Sequence, residues 1–428
     1  MSIDLVSLAD AAEKMASLCN RCGLCQAVCP VYKRTGLEGD SARGKLALIT
    51  ALHENLTDAP AETLARLNRC TLCGGCKATC PRGVATVDAF LLARKALAEA
   101  ARLSGARRAL LRQAFADPKR TATLAARFAA VQRRMVTSPE DARVALAGRY
   151  PVPKITRPFF SEAYTPKEGD APAAKEADAP KAEVLLFAGC LVDKVYPFVG
   201  EGLAGLLTDA GARVHVPKEQ GCCGIPFLTE GDEEAFLQAV KRHLDLFSTQ
   251  DFTHVVTPCA TCTHAIKHLW PKVKEQLSDA EAALVDRIAG AVCDGSDLLA
   301  QLGDGPGLEK EAGGLTVTVH DPCHGRHSLK NTENTRSLLK KAGHTLVEME
   351  QGCCGLGGSF GMKNRDLSLA IGEGCLARIE ATGADVVVTS CPGCMAQIEA
   401  LLRGAGSRIR VLHVVEILEN PLDSPGDS

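Results

Sequence analysis

Hydrophobic positions recur at two different spacings along this chain, and the change of spacing divides it into two parts. Up to about residue 136 the apolar residues fall at helical intervals, as in 45–54 (KLALITALHE), 61–68 and 93–136. From residue 183 onward, short apolar runs rich in Val and Leu alternate with longer helical patterns. This alternation predicts parallel α/β units behind a helical N-terminal region.

The second part is an internal duplication of one order of strands and helices. In each copy a first strand is followed by a helix, a short second strand, another helix (about 232–247 in the first copy) and a third strand. The predicted strands are 183–189 (EVLLFAG), 213–216 and 253–258 (THVVTP) in the first copy, then 315–322 (LTVTVHDP), 345–349 (TLVEM) and 384–390 (ADVVVTS) in the second.

Each copy carries five cysteines just after its strands, where open α/β sheets place their ligand sites. A vicinal Cys-Cys cannot readily bind one tetrahedral ion through both sulfurs, whereas it suits a cluster in which neighbouring thiolates reach different irons. Flanking glycines let the backbone approach a metal and adopt positive φ. The two sets are Cys190, Cys222, Cys223, Cys259 and Cys262, then Cys323, Cys353, Cys354, Cys391 and Cys394.

The helical N-terminal region contains two cysteine strings with the spacing C-x2-C-x2-C-x3-C-P. This spacing holds a pair of [4Fe-4S] cubanes, and the fourth cysteine of each string binds the other string's cluster. Zinc is the alternative, but it prefers four ligands from two separated C-x2-C pairs. The predicted ligands are Cys19, Cys22, Cys25 and Cys80 for the first cubane, and Cys70, Cys73, Cys76 and Cys29 for the second.

Composition narrows the function classes. Twenty cysteines with no apolar run of signal-peptide length near the start favour metal ligation over disulfides. A net charge of −2 and an aromatic content of 4% argue against nucleic acid as a partner. No apolar run is long enough to span a membrane, so we expect a cytoplasmic protein.

A strongly basic helical stretch, 93–136, separates the cysteine strings from the duplicated part. Two interpretations stay open: a solvated helix face, or a surface that docks to an acidic partner or peripherally to the anionic cytoplasmic face of a membrane. Residues 150–183 then become rich in Pro, Ala, Lys and Glu, which indicates a linker. The predicted domains are 1–100 (helical two-[4Fe-4S] ferredoxin), 101–149 (basic helical segment), 150–182 (linker), 183–310 (first cysteine-rich α/β copy) and 311–428 (second copy).

The C…CCG…CxxC pattern, present twice behind two ferredoxin strings, resembles the cysteine-rich (CCG) domain proteins. These include the iron–sulfur subunits of glycolate and D-lactate dehydrogenases, heterodisulfide reductase subunits, and one of the subunits of anaerobic glycerol-3-phosphate dehydrogenase. Residues 40–44 (DSARG) look like the S-P-R-G segment of the glycolate/lactate branch, with Ala in place of Pro. Residues 320–324 (HDPCH), 353–361 (CCGLGGSFG) and 389–398 (TSCPGCMAQI) are also similar to that branch.

The resemblance implies an electron-transfer subunit of a glycolate or D-lactate dehydrogenase complex. No flavin or NAD fingerprint occurs in this chain, so hydroxy-acid oxidation is expected on an FAD-binding partner subunit, with electrons leaving to quinone or another carrier. Two complete CCG sets imply two further [4Fe-4S] clusters of the non-cubane type, or zinc at one site. They also support an alternative function, in which the chain itself is a heterodisulfide-reductase-type catalytic subunit.

Several other residues lie close to the cysteines. His320, His324 and His327 surround Cys323 and are interpreted as hydrogen-bonding residues rather than ligands or proton donors. Arg43 and Lys45 are candidates to offset the negative charge of a cubane. Cys293 and Cys375 fall outside all four motifs and are expected to be small buried residues.

Overall fold

A computed structural model of the chain describes residues 5–100, 105–135, 144–147, 150–165, 180–303 and 314–419. The chain forms two compact units. The first unit consists of Met1–Gln113 and two short segments of the cysteine-rich part. The second unit consists of the rest of the chain. The units therefore do not follow the linear order of the chain. Their remaining segments are Gly224–Phe236 and Gly352–Cys375 in the first unit, and Ala114–Cys223, Leu237–Gln351 and Leu376–Ser428 in the second.

The described residues of the first unit contain helices and no strand, which confirms a helical ferredoxin domain. A buried apolar cluster that includes Ala12, Leu46, Leu67 and Phe90 packs against the cysteines of both strings. The helices are Leu5–Ala16, Leu24–Val28, Pro30–Thr35, a 3₁₀ turn at Glu38–Asp40, Ala42–His53, Pro60–Asn68, Gly75–Ala78, Thr86–Ala100, Gly105–Phe115, Ile225–Thr229 and Ser359–Lys363.

The segment 40–44 anchors the helix Ala42–His53. Ser41 is its N-cap, and its hydroxyl accepts a 3.0 Å hydrogen bond from the Gly44 N–H. A Cβ at Gly44 would collide with the backbone at Glu38, so only glycine fits there. Asp40 is fully buried, and its carboxylate pairs with Arg66 and Arg69 at 3.3 and 3.1 Å. This segment therefore has a structural role beneath the cysteine strings.

The second unit contains a short antiparallel hairpin, β1 (Val144–Ala147) with β2 (Tyr150–Pro153), and two parallel four-stranded sheets. The sheet orders are β4-β3-β5-β6 and β8-β7-β9-β10, so each copy arranges its four strands in the same way. This identity confirms the α/β duplication. The strands are β3 (Ala182–Leu186), β4 (Ala212–His215), β5 (His254–Thr257), β6 (Val292–Asp294), β7 (Thr316–Val319), β8 (Thr345–Leu346), β9 (Val386–Thr389) and β10 (Arg410–His413).

Helices connect these strands and cover the sheets. Buried runs such as Val386–Thr389 are apolar on both faces, as parallel strands between helices require. The sequence patterns did not predict the fourth strand of each sheet, β6 and β10. The remaining helices are Pro118–Met135, Phe160–Ala163, Gly189–Lys194, Pro197–Asp209, Glu233–Phe247, Ala260–His264, Ala265–Leu269, Trp270–Gln276, Asp279–Ala291, Gly295–Leu302, Gly325–Leu329, Thr332–Lys341, Arg365–Glu380, Pro392–Ala405 and Val414–Glu419.

The basic stretch is not uniformly solvated. Arg94 and Lys95 are buried, so the interpretation as a solvated helix face is wrong for both residues. Their partners lie far along the chain, within the first unit, where Lys95 pairs with Glu233. Arg112 likewise donates hydrogen bonds to both carboxylate oxygens of Asp232, each at 2.7 Å. Few acidic residues lie near Lys95 and Arg112 in the sequence. The carboxylates that pair with these two side chains come from residues 232–234.

The linker predicted over 150–182 is shorter than its composition indicated. Residues 154–165 are described, and Phe159 and Phe160 are fully buried there. Phe160 begins a short helix, and the Ser161 N–H donates a 2.8 Å hydrogen bond to buried Asp193. Two adjacent aromatic side chains supply a local core that the Pro and Ala content concealed. The later part of the linker, 166–179, lies outside the described residues.

Among the described residues, no helix combines the length and the apolar character needed to cross a lipid bilayer.

Candidate metal centres

The first cysteine string and the end of the second surround one cavity. It is a space of about 370 Å³, partly open to solvent, and its lining includes Arg43. Of its cysteines, Cys22 is exposed and the others are half-buried. The structure thus brings together the four thiols predicted for the first cubane, Cys19, Cys22, Cys25 and Cys80, together with Cys76.

A second cavity, about 390 Å³ and also partly open, lies beside Lys45 and Thr71. Cys76 lines both cavities, so the two spaces are neighbours. Burial raises the pKa of the Cys29 thiol to about 11, and burial also raises that of Cys76. The second cavity gathers the four thiols predicted for the second cubane, Cys29, Cys70, Cys73 and Cys76.

Both strings wrap their cavity with the same backbone device. The residue before the second cysteine has positive φ, 58° at Arg21 and 55° at Leu72. The residue after that cysteine is a glycine with φ of 87° (Gly23) or 78° (Gly74), and it begins a short helix that carries the third cysteine. Non-glycine residues rarely adopt positive φ, and such strain concentrates at functional sites. The repeated strain fits a loop built to converge three thiols on one group.

Buried cations accompany the second cavity. Lys45 is buried and donates a hydrogen bond to the carbonyl of Asp40. Arg94, only 3% exposed, donates to the carbonyls of Leu67 (2.6 Å), Cys70 (2.9 Å) and Thr229 (3.3 Å). Burial lowers the pKa of both side chains, and the nearby cysteines, Cys70 first among them, act in the opposite direction. A cluster held by four thiolates is anionic, so these cations fit it.

Arg94 is a candidate residue for balancing the charge of a cluster, and sequence reasoning did not single it out. It was grouped with the basic stretch because five arginines and lysines follow it within 18 residues. The signal that could have separated it is its position four residues after Phe90 on the helix Thr86–Ala100, which places it on the buried face.

The first CCG set lies in the second unit, and its thiols are contiguous. Cys190 Sγ lies 3.8 Å from Cys222 Sγ, and Cys262 is hydrogen-bonded with Cys223 and Cys259. Cys190 and Cys259 follow the carboxyl ends of β3 and β5, which pair in parallel. The five cysteines therefore meet at one edge of the sheet.

These buried thiols cannot ionise readily on their own. Hydrogen bonds that the Cys262 thiol donates to Cys223 and Cys259, together with burial, hold the pKa of Cys262 well above its usual range. The hydrogen bond with Cys222 and burial do the same for the pKa of Cys190. Five thiolates packed together would repel each other strongly in a low dielectric. A metal cation offsets that repulsion, so the donor set fits a metal or an iron–sulfur cluster.

A glutamine holds the CCG turn in each copy. Gln220 accepts a 2.9 Å hydrogen bond from the Ala188 N–H and donates one of 2.8 Å to the Leu186 carbonyl. Gln351 makes the matching pair, accepting from the Asp321 N–H (2.9 Å) and donating to the Val319 carbonyl (2.7 Å). Each amide thus ties its turn to the end of the first strand of its sheet. The repeated sequence Gln-Gly-Cys-Cys-Gly was the signal available for this pair.

The second CCG set is divided between the units. Cys323, Cys391 and Cys394 belong to the second unit, where Cys391 is hydrogen-bonded with Cys259 of the first set. Cys353 and Cys354 belong to the first unit. There, Cys353 packs in a cluster with Cys29, Val31, Phe360, Ile371 and Leu367. The structure therefore groups a CCG cysteine with a cysteine of the ferredoxin strings.

The histidines near the cysteines take part in hydrogen bonds and ring stacking. His324 Nδ1 lies 3.2 Å from the Thr261 hydroxyl, and its ring stacks on His264 with centroids 4.3 Å apart. Thr261 Oγ1 in turn lies 3.8 Å from Cys391 Sγ. These contacts connect the segment of Cys323 to the segment of Cys262, which gives His324 a structural role.

Two family models match the chain. A 4Fe-4S dicluster domain covers residues 15–84, and a Cysteine-rich domain (CCG) matches twice, at 184–267 and 317–399. These ranges contain all eighteen cysteines of the four motifs and leave out Cys293, while Cys375 falls inside the second CCG match.

Curated relatives match either most of the chain or about half of it. The "Probable glycolate oxidase iron-sulfur subunit" of Bacillus subtilis is 26% identical over 424 residues, which is 94% of this chain and 92% of the relative. "Lactate utilization protein A 1" of Bacillus cereus is 30% identical over 250 residues, covering 56% of this chain and 99% of the relative. An uncharacterized iron–sulfur protein of Methanococcus maripaludis is 26% identical over 411 residues, covering 94% of this chain and 72% of that protein.

Proposed function

Because this chain belongs to the cysteine-rich (CCG) domain family of iron–sulfur proteins, we propose that it is the electron-transfer subunit of a flavin-dependent 2-hydroxy acid dehydrogenase complex. Glycolate and D-lactate are the proposed substrates of that complex. The names of two relatives, a probable glycolate oxidase iron–sulfur subunit and a lactate utilization protein, support this substrate class.

Two [4Fe-4S] clusters are proposed in the ferredoxin region. Cys19, Cys22, Cys25 and Cys80 would hold one, and Cys29, Cys70, Cys73 and Cys76 the other. Each set lines its own cavity, which supports this division. Such clusters accept and release electrons singly when bound. Lys45 and Arg94 would offset negative charge beside the second site.

The CCG cysteines would hold two further clusters, with zinc at one of them as the lesser alternative. Burial and mutual repulsion of the thiols support a cationic centre at the first set. Anaerobic reconstitution followed by metal analysis distinguishes the cases. About sixteen irons per chain would support four [4Fe-4S] centres, and about twelve irons with one zinc would support zinc at one CCG site.

The packing of Cys353 and Cys29 against one apolar cluster is the observation that carries the electron-transfer proposal. A residue of the second CCG set and a proposed ligand of the second cubane thus share one apolar cluster inside one compact unit. The exposed Cys22 belongs to the other cavity, so we place exchange with the external partner there.

Hydroxy-acid oxidation removes a hydride, a two-electron step that requires a flavin or nicotinamide. We therefore assign it to an FAD-binding partner subunit, and we assign quinone or a comparable carrier to the other end of the path. On this chain, the cysteine thiolates would bind the iron of the clusters. The buried basic side chains would offset the negative charge of the clusters.

The test compares the chain alone with the complex purified anaerobically from its native host. The chain alone should not oxidise glycolate or D-lactate, whereas the complex should, and substrate should bleach the iron–sulfur absorbance. A Cys73→Ser variant should lose that bleaching, while Cys375→Ser, outside the motifs, should retain it. Oxidation by the chain without a flavoprotein, or a complex whose clusters never respond to substrate, would overturn the proposal.

A second function is favoured by one specific observation. Both CCG sets are complete, with five cysteines each, which is the condition expected of a heterodisulfide-reductase-type catalytic subunit. In that case the CCG sites would reduce a disulfide to two thiols with two electrons and two protons. Turnover of a heterodisulfide by the isolated chain with a reduced viologen would select this function over the first.

A further inference from the structure

The helix Pro118–Met135 has an apolar face that nothing in the described part of the chain covers. Leu124, Phe128 and Val131 are 44%, 48% and 48% exposed, and they are spaced at i, i+4 and i+7. This spacing places all three side chains on one side of the helix. A contiguous stripe of exposed apolar side chains marks an interaction surface, whereas single exposed apolar residues are common on any protein.

The opposite face of the same helix is packed. Ala129 and Gln132 are buried, and the Gln132 side chain accepts a 3.1 Å hydrogen bond from the Ile155 N–H. At the start of the helix, the Thr121 hydroxyl donates hydrogen bonds to the carbonyls of Ala114 and Asp117. The helix is therefore fixed to the second unit, and its exposed face is presented outward by a rigid support.

The charge of this helix is entirely positive. Its eighteen residues include two or more basic residues in each half and no Asp or Glu. Lys119 pairs with Glu219, whereas Arg120 and Arg127 are exposed beside the apolar stripe. The basic residues of the helix are Lys119, Arg120, Arg127, Arg133 and Arg134.

We propose that the helix Pro118–Met135 binds the surface of an anionic lipid bilayer, with Leu124, Phe128 and Val131 inserted at the boundary of the acyl region. Exposed apolar side chains flanked by Arg and Lys, with no acidic residue, are the features of an interfacial helix. Each basic side chain close to an anionic surface adds attraction that salt screens. A nucleic acid offers no apolar surface to cover the three side chains, and the chain as a whole is slightly acidic.

This inference deepens the proposed function, because a membrane carrier such as quinone would then lie within reach of the complex. Only the biological purpose of membrane binding rests on the proposed function. The binding itself is testable without any redox partner. Quinone-free vesicles separate a failure of membrane binding from a failure of electron transfer.

The experiment is vesicle flotation of the full chain with its clusters loaded. Vesicles of phosphatidylcholine mixed with phosphatidylglycerol should carry the chain, and those of phosphatidylcholine alone should carry much less. The double variant Leu124→Gln/Phe128→Gln should weaken binding by at least about tenfold, given the apolar area of the two side chains. Arg120→Glu/Arg127→Glu should remove most of the salt-sensitive part of the binding.

Matched controls are Leu56→Gln, at an apolar residue that is 74% exposed elsewhere, and Lys340→Glu on another helix of the second unit. Both should float like the unmodified chain. Circular dichroism and cluster absorbance confirm that each variant is folded. Equal binding to neutral vesicles, no binding to either kind, or unchanged binding by the helix variants would overturn the proposal, as would capture of an acidic protein partner through this face in place of lipid.

Discussion

Cys29 and Cys353, 324 positions apart in the sequence, pack in one apolar cluster with Val31, Phe360, Ile371 and Leu367 around them. Cys29 is the fourth cysteine of the first ferredoxin string, and Cys353 opens the vicinal pair of the second CCG set. The loop after Cys353 is held in the same unit by further contacts. Asn364 donates a 3.1 Å hydrogen bond to the Asn68 carbonyl, and Lys363 pairs with buried Glu230 at 2.8 Å. The first unit thus brings one cysteine of each kind of motif into a single apolar cluster.

In the proposed ligand sets, the fourth cysteine of each string binds the cluster of the other string. Substitution of either fourth cysteine should therefore affect only one of the two clusters. Cys29→Ser should abolish or alter the cluster of the second cavity and spare that of the first, because Cys29 lines only the second cavity. Cys80→Ser should do the opposite. Electron paramagnetic resonance of the reduced chain would resolve the two signals. If each substitution instead removed the cluster of its own string, the exchange of ligands would be excluded.

Gly357 and Gly358 form a matched pair for the close approach between the CCG loop and the second cavity. Both have positive φ, 54° and 58°, so an alanine is strained at either position. A Cβ at Gly357 would lie 3.1 Å from the Thr71 side chain, whereas a Cβ at Gly358 would meet nothing within 4 Å. Gly357→Ala should therefore cost about 1–3 kcal/mol more in the free energy of unfolding than Gly358→Ala.

The two glycine variants are compared by denaturant unfolding of the cluster-loaded chain. Magnetic coupling between the second cubane and its neighbour, read from the resonance line shape, should change in Gly357→Ala alone. Equal destabilisation by the two alanines would show that backbone strain, and not the approach to Thr71, dominates.

Arg94 should tune the cluster beside it. Arg94→Gln removes a buried positive charge and at least one hydrogen bond to the carbonyls of Leu67 and Cys70. The reduction potential of the second cubane should fall, since its reduced form gains negative charge with less compensation. Stability should also fall by about 1–3 kcal/mol. Lys77→Gln, at an exposed lysine, serves as the control and should leave the potential nearly unchanged.

His243 makes stability depend on pH. Its ring is buried, accepts a 3.1 Å hydrogen bond from the Gly221 N–H at Nε2, and donates from Nδ1 to the Ala239 carbonyl at 2.7 Å. Burial lowers its pKa from 6.5 to about 4. The unfolded chain therefore binds the proton more readily, and the contribution of neutral His243 is complete above about pH 6.5 and decreases as the pH falls toward 4. Its full size is on the order of 3 kcal/mol.

Thermal unfolding of the unmodified chain and of His243→Gln between pH 8 and pH 5 measures this effect. The difference between the two midpoints should shrink as the pH decreases, while visible absorbance confirms that the clusters remain bound. A difference that stays constant over this range would show that His243 is not the titrating group.

Much of this molecule could be predicted from local sequence. The two cysteine strings converge because their loops are short, and the steric demands of Gly23 and Gly74 act over a few residues. The strands ending at Cys190, Cys259, Cys323 and Cys391 were visible as apolar runs, and a repeated order of strands implied a repeated sheet. The buried Phe159 and Phe160, by contrast, were hidden within a Pro- and Ala-rich composition.

What the sequence by itself determined is the chemistry: which residues are thiols, how they are spaced, and that the α/β part is duplicated. Only the tertiary structure decided that Arg94 is buried beside Cys70, that Cys353 and Cys29 pack against one apolar cluster, and that Leu124, Phe128 and Val131 face outward. The physical reason is range. Spacing and backbone sterics act between near neighbours, whereas burial and charge pairing depend on segments that are distant in the sequence, whose approach no local pattern encodes.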